Sequence, residues 1–119
     1  MIDLPDINVW IALAYSRHTQ HIPATKYIAT VQADSAALCR LSQVGMLRLL
    51  TNPAVMGSDV CTQVKAWSHF DQLMSDPRIL FLEEPSNLEP EWRTFSSLSK
   101  PAANQWADGY LAAFAVSHG

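Results

Sequence analysis

The feature that most constrains this chain is a change of hydrophobic period. Short apolar runs too brief for a helix alternate with longer stretches whose apolar residues recur at helical spacing. Met1 to Leu4 is one short run, closed by Pro5 and Asp6. Ser35 to Cys39 suits a second strand, and Ile79-Leu80-Phe81-Leu82, closed by Glu83-Glu84-Pro85, is the clearest. Between them, Asn8 to Ala14 runs on without a breaker, as a buried helix does. Pro23 can open a helix in which Ala24, Tyr27, Ile28 and Val31 share a face. Ser42 can cap a helix that turns Val44, Met46, Leu47, Leu49 and Leu50 inward and stops at Thr51-Asn52-Pro53. Ser58 or Asp59 can begin an amphipathic helix carrying Val60, Val64, Trp67, Phe70, Leu73 and Met74, which Asp76-Pro77 ends. Glu89 to Leu98 reads as a modest helix and Ala102 to His118 as a strong one. Strands alternating with helices predict an α/β domain with a mainly parallel sheet, of which three strands are visible.

Length and composition agree with one domain over residues 1–119. The chain has 119 residues, 49% of them hydrophobic and 16% charged, which excludes general disorder and suffices for a core without disulfides. Cys39 and Cys61 stand in no CxxC or Cys/His ligand spacing, and every apolar run is interrupted well short of spanning length. Reduced thiols in a cytoplasmic setting, with no membrane contact, are therefore expected. The net charge of -3 gives no global attraction to nucleic acid. Because no glutamate precedes Glu83, any acidic site before it must draw on six aspartates, Asp3, Asp6, Asp34, Asp59, Asp71 and Asp76.

In open α/β sheets, ligands gather beyond the carboxyl ends of the strands, where Asp6 is expected to lie. Asp6 or Asn8 can equally serve only as the cap of the next helix. In the last helix, Asn104 and Asp108 are one turn apart on a face that continues through Leu111, Ala112 and Ala115. There a carboxylate is either a first-turn acid favoured by the helix dipole, at about 0.3 to 1 kcal/mol, or part of a site. Gln43 repeats the pattern above Met46, Leu47 and Leu50, and taken alone it reads as structural. If these oxygen-bearing side chains converge, they suit a hard cation such as magnesium or manganese. His18 and His21, at i and i+3, read as part of a solvated loop. The four tryptophans read as core or interface residues, since none stands in a basic, aromatic-interleaved run.

Three stretches make the chain recognisable: L-P-D-I-N-V-W-I-A-L-A at the start, C-R-L-S-Q-V-G-M-L-R-L-L-T-N-P in the middle and W-A-D-G-Y-L-A-A-F-A late. In this order and spacing they resemble the PIN-domain family, and more narrowly the toxin nucleases of VapBC toxin-antitoxin systems. The resemblance implies a three-layer α/β/α fold with a mainly parallel central sheet. It implies metal-dependent hydrolysis of RNA phosphodiester bonds, an endoribonuclease activity using Mg2+ or Mn2+ and a metal-activated water. Asp6 matches the first metal-binding acid, Asp108 the late one, and Asn8 the polar residue two positions after the first acid. Gln43 falls where many PIN domains have a glutamate. Arg48 matches a basic residue of the same motif, suited to substrate phosphate or, slightly favoured, to pairing with a carboxylate, and Asn104 is a supporting polar residue. Arg40, Arg48 and Lys100 are candidate phosphate contacts.

The family usually adds a last strand ending in another acid. Its absence before Gly119 sets the expectation of a C-terminally incomplete domain and a weakened nuclease. The resemblance also implies a VapB-like antitoxin partner and a homodimer, with Trp10, Ile28 or Leu47 expected on an exposed apolar surface. Two rival readings accompany it. One is a catalytically decayed PIN scaffold acting as a binding module, motivated by Gln43 and the missing terminal acid. The other is a phosphoacceptor signalling domain, which the lack of a second acid beside Asp6 disfavours.

Overall fold

The computed structural model describes residues 2–15 and 17–118, which fall into two compact units, 2–82 and 83–118. The first unit carries the sheet. Strand β1 (Ala36–Leu38) pairs in parallel with β2 (Ile79–Phe81), in the register Ala36 to Ile79, Ala37 to Leu80 and Leu38 to Phe81. The expected first strand is reduced to a bridge: Asp3 N–H donates to the Ser35 carbonyl at 2.7 Å and Ala37 N–H to the Asp3 carbonyl at 2.9 Å. Two strands and a bridge therefore stand where three strands were expected. The next donor on that side of the ladder would be residue 5, and Pro5 has no N–H to give. Every residue of β1 is fully buried, the mark of a parallel strand covered on both faces.

Helix α1 (Ile7–Ala14) is buried through Trp10, Ile11 and Ala12, and α2 (His21–Ala29) through Ala24 and Ile28. Helix α3 (Arg40–Leu50) begins earlier than the serine signal predicts. Only Cys39, extended at φ -119 and ψ 176, separates it from β1, so the strand feeds the helix directly. Ser42 lies inside its first turn, fully buried, 3.4 Å from the Cys39 sulfur. A β-carbon on Gly45 would overlap the terminal methyl of Ile7, so the bare glycine lets the start of α1 lie directly on α3 without moving that side chain.

The amphipathic helix expected from Ser58 or Asp59 is split. Asn52 caps the short helix α4 (Pro53–Met56) by accepting from Ala54 N–H at 2.9 Å, and Gly57, at φ +58, ends it in the left-handed region. A 3-10 turn over Gly57–Asp59 follows, and Thr62 caps α5 (Gln63–Met74) by accepting from Lys65 N–H at 3.1 Å. The inward face is Ala66, Phe70, Leu73 and Met74, while Val64 is 81% exposed and Trp67 half exposed. Both sets of residues satisfy helical spacing, which is why the sequence did not distinguish them. Val44 on α3 is exposed for the same reason. Trp10 and Ile28, expected on a partner surface, are core residues, and Leu47 is half-buried against that core.

Before β2, Arg78 grips Asp76 through Nε at 2.9 Å and Nη2 at 2.5 Å, and donates from Nη1 to the Ile28 carbonyl at 3.1 Å. That tie fastens the strand entry to α2. The Arg78 guanidinium holds the Asp76 carboxyl below its ordinary range.

The second unit contains α6 (Leu88–Phe95) and α7 (Trp106–His118), with a 3-10 turn over Ala103–Gln105 leading into α7. Trp92 Nε1 donates to the Trp106 carbonyl at 3.0 Å, and its ring meets Trp106 and Tyr110 edge to face at 6.4 and 5.5 Å. Gly109 lets α7 approach α6 closely, since a β-carbon there would sit 3.2 Å from the Phe95 carbonyl oxygen. Among the described residues no helix is long and apolar enough to cross a membrane. The class is α/β with a short parallel sheet, compatible with the expected α/β/α arrangement.

Candidate metal centre and its surroundings

Asp6 stands where the first sheet segment gives way to α1. Its backbone is extended, at φ -63 and ψ 157, and its Oδ1 accepts from Ile7 N–H at 2.7 Å, so it does cap the helix. The capping reading and the site reading are compatible, because capping occupies one lone pair of a carboxylate that has about four. Asn8 turns its amide back to Asp6 Oδ2 in a long contact of 3.5 Å. The side chain of Asp6 makes no ion pair among the described residues and is exposed to solvent.

The Asp3 segment and β1 run in parallel and each is followed by a helix, so Asp6 and the start of α3 leave the sheet at its carboxyl edge. The Ile7 contact with Gly45 holds those two helices together. Gln43, in the second turn of α3, is 5% exposed. Its Oε1 accepts from Arg40 Nη1 at 2.5 Å, and the Arg40 guanidinium lies over the Phe81 ring, 5.0 Å from its centroid. Sequence reasoning named Arg40 only as a phosphate contact. Its i, i+3 spacing from Gln43 was the available signal for the pairing; nothing in the sequence pointed to Phe81.

Arg48 is exposed on α3 and pairs with no carboxylate among the described residues, contrary to the slightly favoured expectation. No acid stands within an i, i+4 step of it on its own helix. In the second unit, Asp108 sits exposed in the first turn of α7. Asn104 belongs to the preceding 3-10 turn, so the pair does not share one continuous α-helical face as the sequence predicted. The tighter 3-10 winding displaces Asn104 from the i, i+4 position.

Each carboxylate on its own is the kind of hard donor that magnesium or manganese takes. Asp6 and Asp108 are exposed carboxylates and the neighbouring side chains offer amide oxygens, all hard donors. No group of three or more His, Cys, Asp or Glu side chains gathers among the described residues. Magnesium tolerates that, since it is ordinarily held by one or two carboxylates, water and substrate phosphate rather than by an all-protein cage. His18 and His21 take no part: His18 Nδ1 accepts from Gln20 N–H at 2.9 Å and His21 Nδ1 donates to the Ala12 carbonyl at 2.6 Å.

No family model matches the chain. It is 40% identical over 121 aligned residues to a protein named Ribonuclease VapC41, found in the CDC 1551 / Oshkosh and ATCC 25618 / H37Rv strains of Mycobacterium tuberculosis. The alignment spans 98% of this chain and 83% of that relative. The chain belongs to the VapC ribonuclease family. Membership over this span takes in all three stretches that carry the VapC resemblance, with Asp6, Gln43 and Asp108 inside them.

Proposed function

We propose that this VapC-family chain is a metal-dependent endoribonuclease, a hydrolase of RNA phosphodiester bonds whose Mg2+ or Mn2+ is held by Asp6 and Asp108. The observation that carries the reading is the 40% identity to a ribonuclease over 98% of the chain. A divalent cation supplies activation of the attacking water and neutralises charge developing on phosphate and leaving oxygen. The chain's own residues provide the rest. Asp6 enters with its rotamer fixed by the Ile7 amide, so it is preorganised as a donor. Asn8 steadies its second oxygen. Arg40 orients the Gln43 amide, and Arg48, with no carboxylate claiming it, contacts substrate phosphate. In this reading residues 1–119 work as one PIN-like domain in the cytoplasm. RNA is the substrate, a VapB-like antitoxin the partner and the homodimer the assembly.

One observation favours the second reading, a decayed scaffold that binds without cleaving: the oxygen of Gln43, in place of an acid, is already engaged by Arg40. Incubation of the chain with a mixed RNA substrate, with and without Mn2+ and with EDTA, separates the two. The enzyme reading expects cleavage that needs the metal and disappears in Asp6→Ala; the scaffold reading expects RNA binding with no cleavage at any metal concentration.

A further inference from the structure

At the far end of α1 from Asp6, the first unit contains a cavity of about 290 Å³ lined by Leu50, Met56 and Val60 together with Arg17, Lys65 and His69. Lys65 and His69 are one turn apart on α5 and line the same space. One acid, Asp59, also borders it, and its charge is already committed. Its Oδ1 accepts from Arg17 Nη1 at 3.2 Å and its Oδ2 from the Tyr15 hydroxyl. That hydroxyl bond raises the Tyr15 pKa, so the group stays a protonated donor. Neither the Lys65 ammonium nor the His69 ring has a hydrogen-bond or ion-pair partner among the described residues. Of the carbonyls closing α1, Ile11 accepts from Tyr15 N–H and Ala12 from the His21 ring.

We propose that this cavity is a phosphate-binding subsite, taking a backbone phosphate of single-stranded RNA remote from the cleaved bond. Two donors without partners in a small, mostly polar space favour capture of a phosphate over a bulky apolar ligand. The distance suits a continuous strand. Helix α1 has 8 residues, so Asp6 at its start and the cavity at its end are about 12 Å apart, a length that stacked strand covers in three to four nucleotides at about 3.4 Å each. Lys65 and His69 are positioning residues for the RNA and touch no reacting atom. The inference rests on the ribonuclease reading for the identity of the strand, while the phosphate chemistry stands on the cavity alone.

The test is equilibrium binding of a fluorescein-labelled single-stranded RNA in EDTA, where no cleavage occurs, across a range of salt concentrations. Wild type is compared with Lys65→Ala, His69→Gln and the double variant, with thermal unfolding to show that each is folded. The double variant is expected to bind several-fold more weakly, with the slope of log affinity against log salt reduced by about 0.7 per contact removed. Unchanged affinity and slope, with wild type binding normally, overturns the proposal. If wild type binds no RNA, the ribonuclease reading fails separately, and titration of inorganic phosphate followed by the His69 ring resonances decides the cavity. A saturable shift supports a phosphate site fed by a free phosphorylated ligand; no shift overturns it.

Discussion

Arg40 and Gln43 are locked together on α3: the Arg40 Nη1 donates to the Gln43 Oε1 at 2.5 Å, with the guanidinium braced over the Phe81 ring. The brace fixes a nearly buried amide oxygen at the carboxyl edge of the sheet, two residues from the glycine on which α1 rests. A carboxylate in this position would keep the Arg40 partner, strengthened by charge, and add a hard donor to the site. Gln43→Glu is therefore expected to raise Mn2+ affinity about tenfold or more, measured by calorimetry, with little change in the thermal midpoint. No gain in affinity would place residue 43 outside the cation's reach.

Gly45 and Ile7 are expected to be energetically coupled. A β-carbon at Gly45 collides with the Ile7 δ-methyl and lies 3.0 Å from its Cγ1, so Gly45→Ala should destabilise the protein by about 1 kcal/mol in spite of its better helix propensity. Ile7→Val removes the colliding methyl. In that background Gly45→Ala should become neutral or stabilising, and a double-mutant cycle by urea unfolding reads the difference.

The phenol of Tyr27 gives a pH test in the alkaline range. Burial first, then its 2.8 Å hydrogen bond to Asp3, pushes its pKa up from 10.0 to about 12. A group whose folded pKa is raised stabilises fully below its unfolded value and loses that contribution as pH climbs through the folded one. Wild-type stability should thus decline between pH 10.0 and about 12, and Tyr27→Phe should flatten the decline. An equal slope in both proteins would mean that the Asp3 tie does not hold the bridging segment.

Much of this fold was legible because local signals and tertiary packing agree in it. The strand at Ile79, the proline stop at Pro53 and the order of strands and helices all emerge from period and punctuation. The failures share one cause. Val64 and Phe70 lie on different faces of α5, yet each begins an acceptable helical stripe, and only the neighbouring elements decide which is buried. Ser42 looked like a cap because its residue type is right, while the abrupt passage from β1 moved the helix start to Arg40. The place of Asp6, after the bridging segment and before α1, was legible from the apolar run and Pro5. The Arg40 brace and the Lys65 and His69 cavity were not, since they depend on residues distant in sequence meeting in space.

Acid should expose the tie that anchors β2. Asp76 has its pKa lowered from 3.8, chiefly by the Arg78 hydrogen bonds, so its contribution is present above 3.8 and lost as pH falls through the lowered value. Asp76→Asn is expected to cost about 1 kcal/mol near neutrality, and the gap to wild type should close in acid. Urea unfolding of the two proteins across the acid range reads it; a gap independent of pH would assign the loss to packing rather than charge.

The central claim is that Asp6 and Asp108 act together on one metal-dependent cleavage of RNA, and the most direct measurement is the Mn2+-dependent cleavage rate of wild type, Asp6→Asn, Asp108→Asn and the double variant. Groups that act as a unit are strongly non-additive, because removing either disables the other. The account predicts that each single variant loses at least about 100-fold in rate, that the double variant is no slower than either, and that EDTA abolishes wild-type activity. Cleavage that persists in EDTA, or single variants whose modest losses simply multiply in the double, would contradict it.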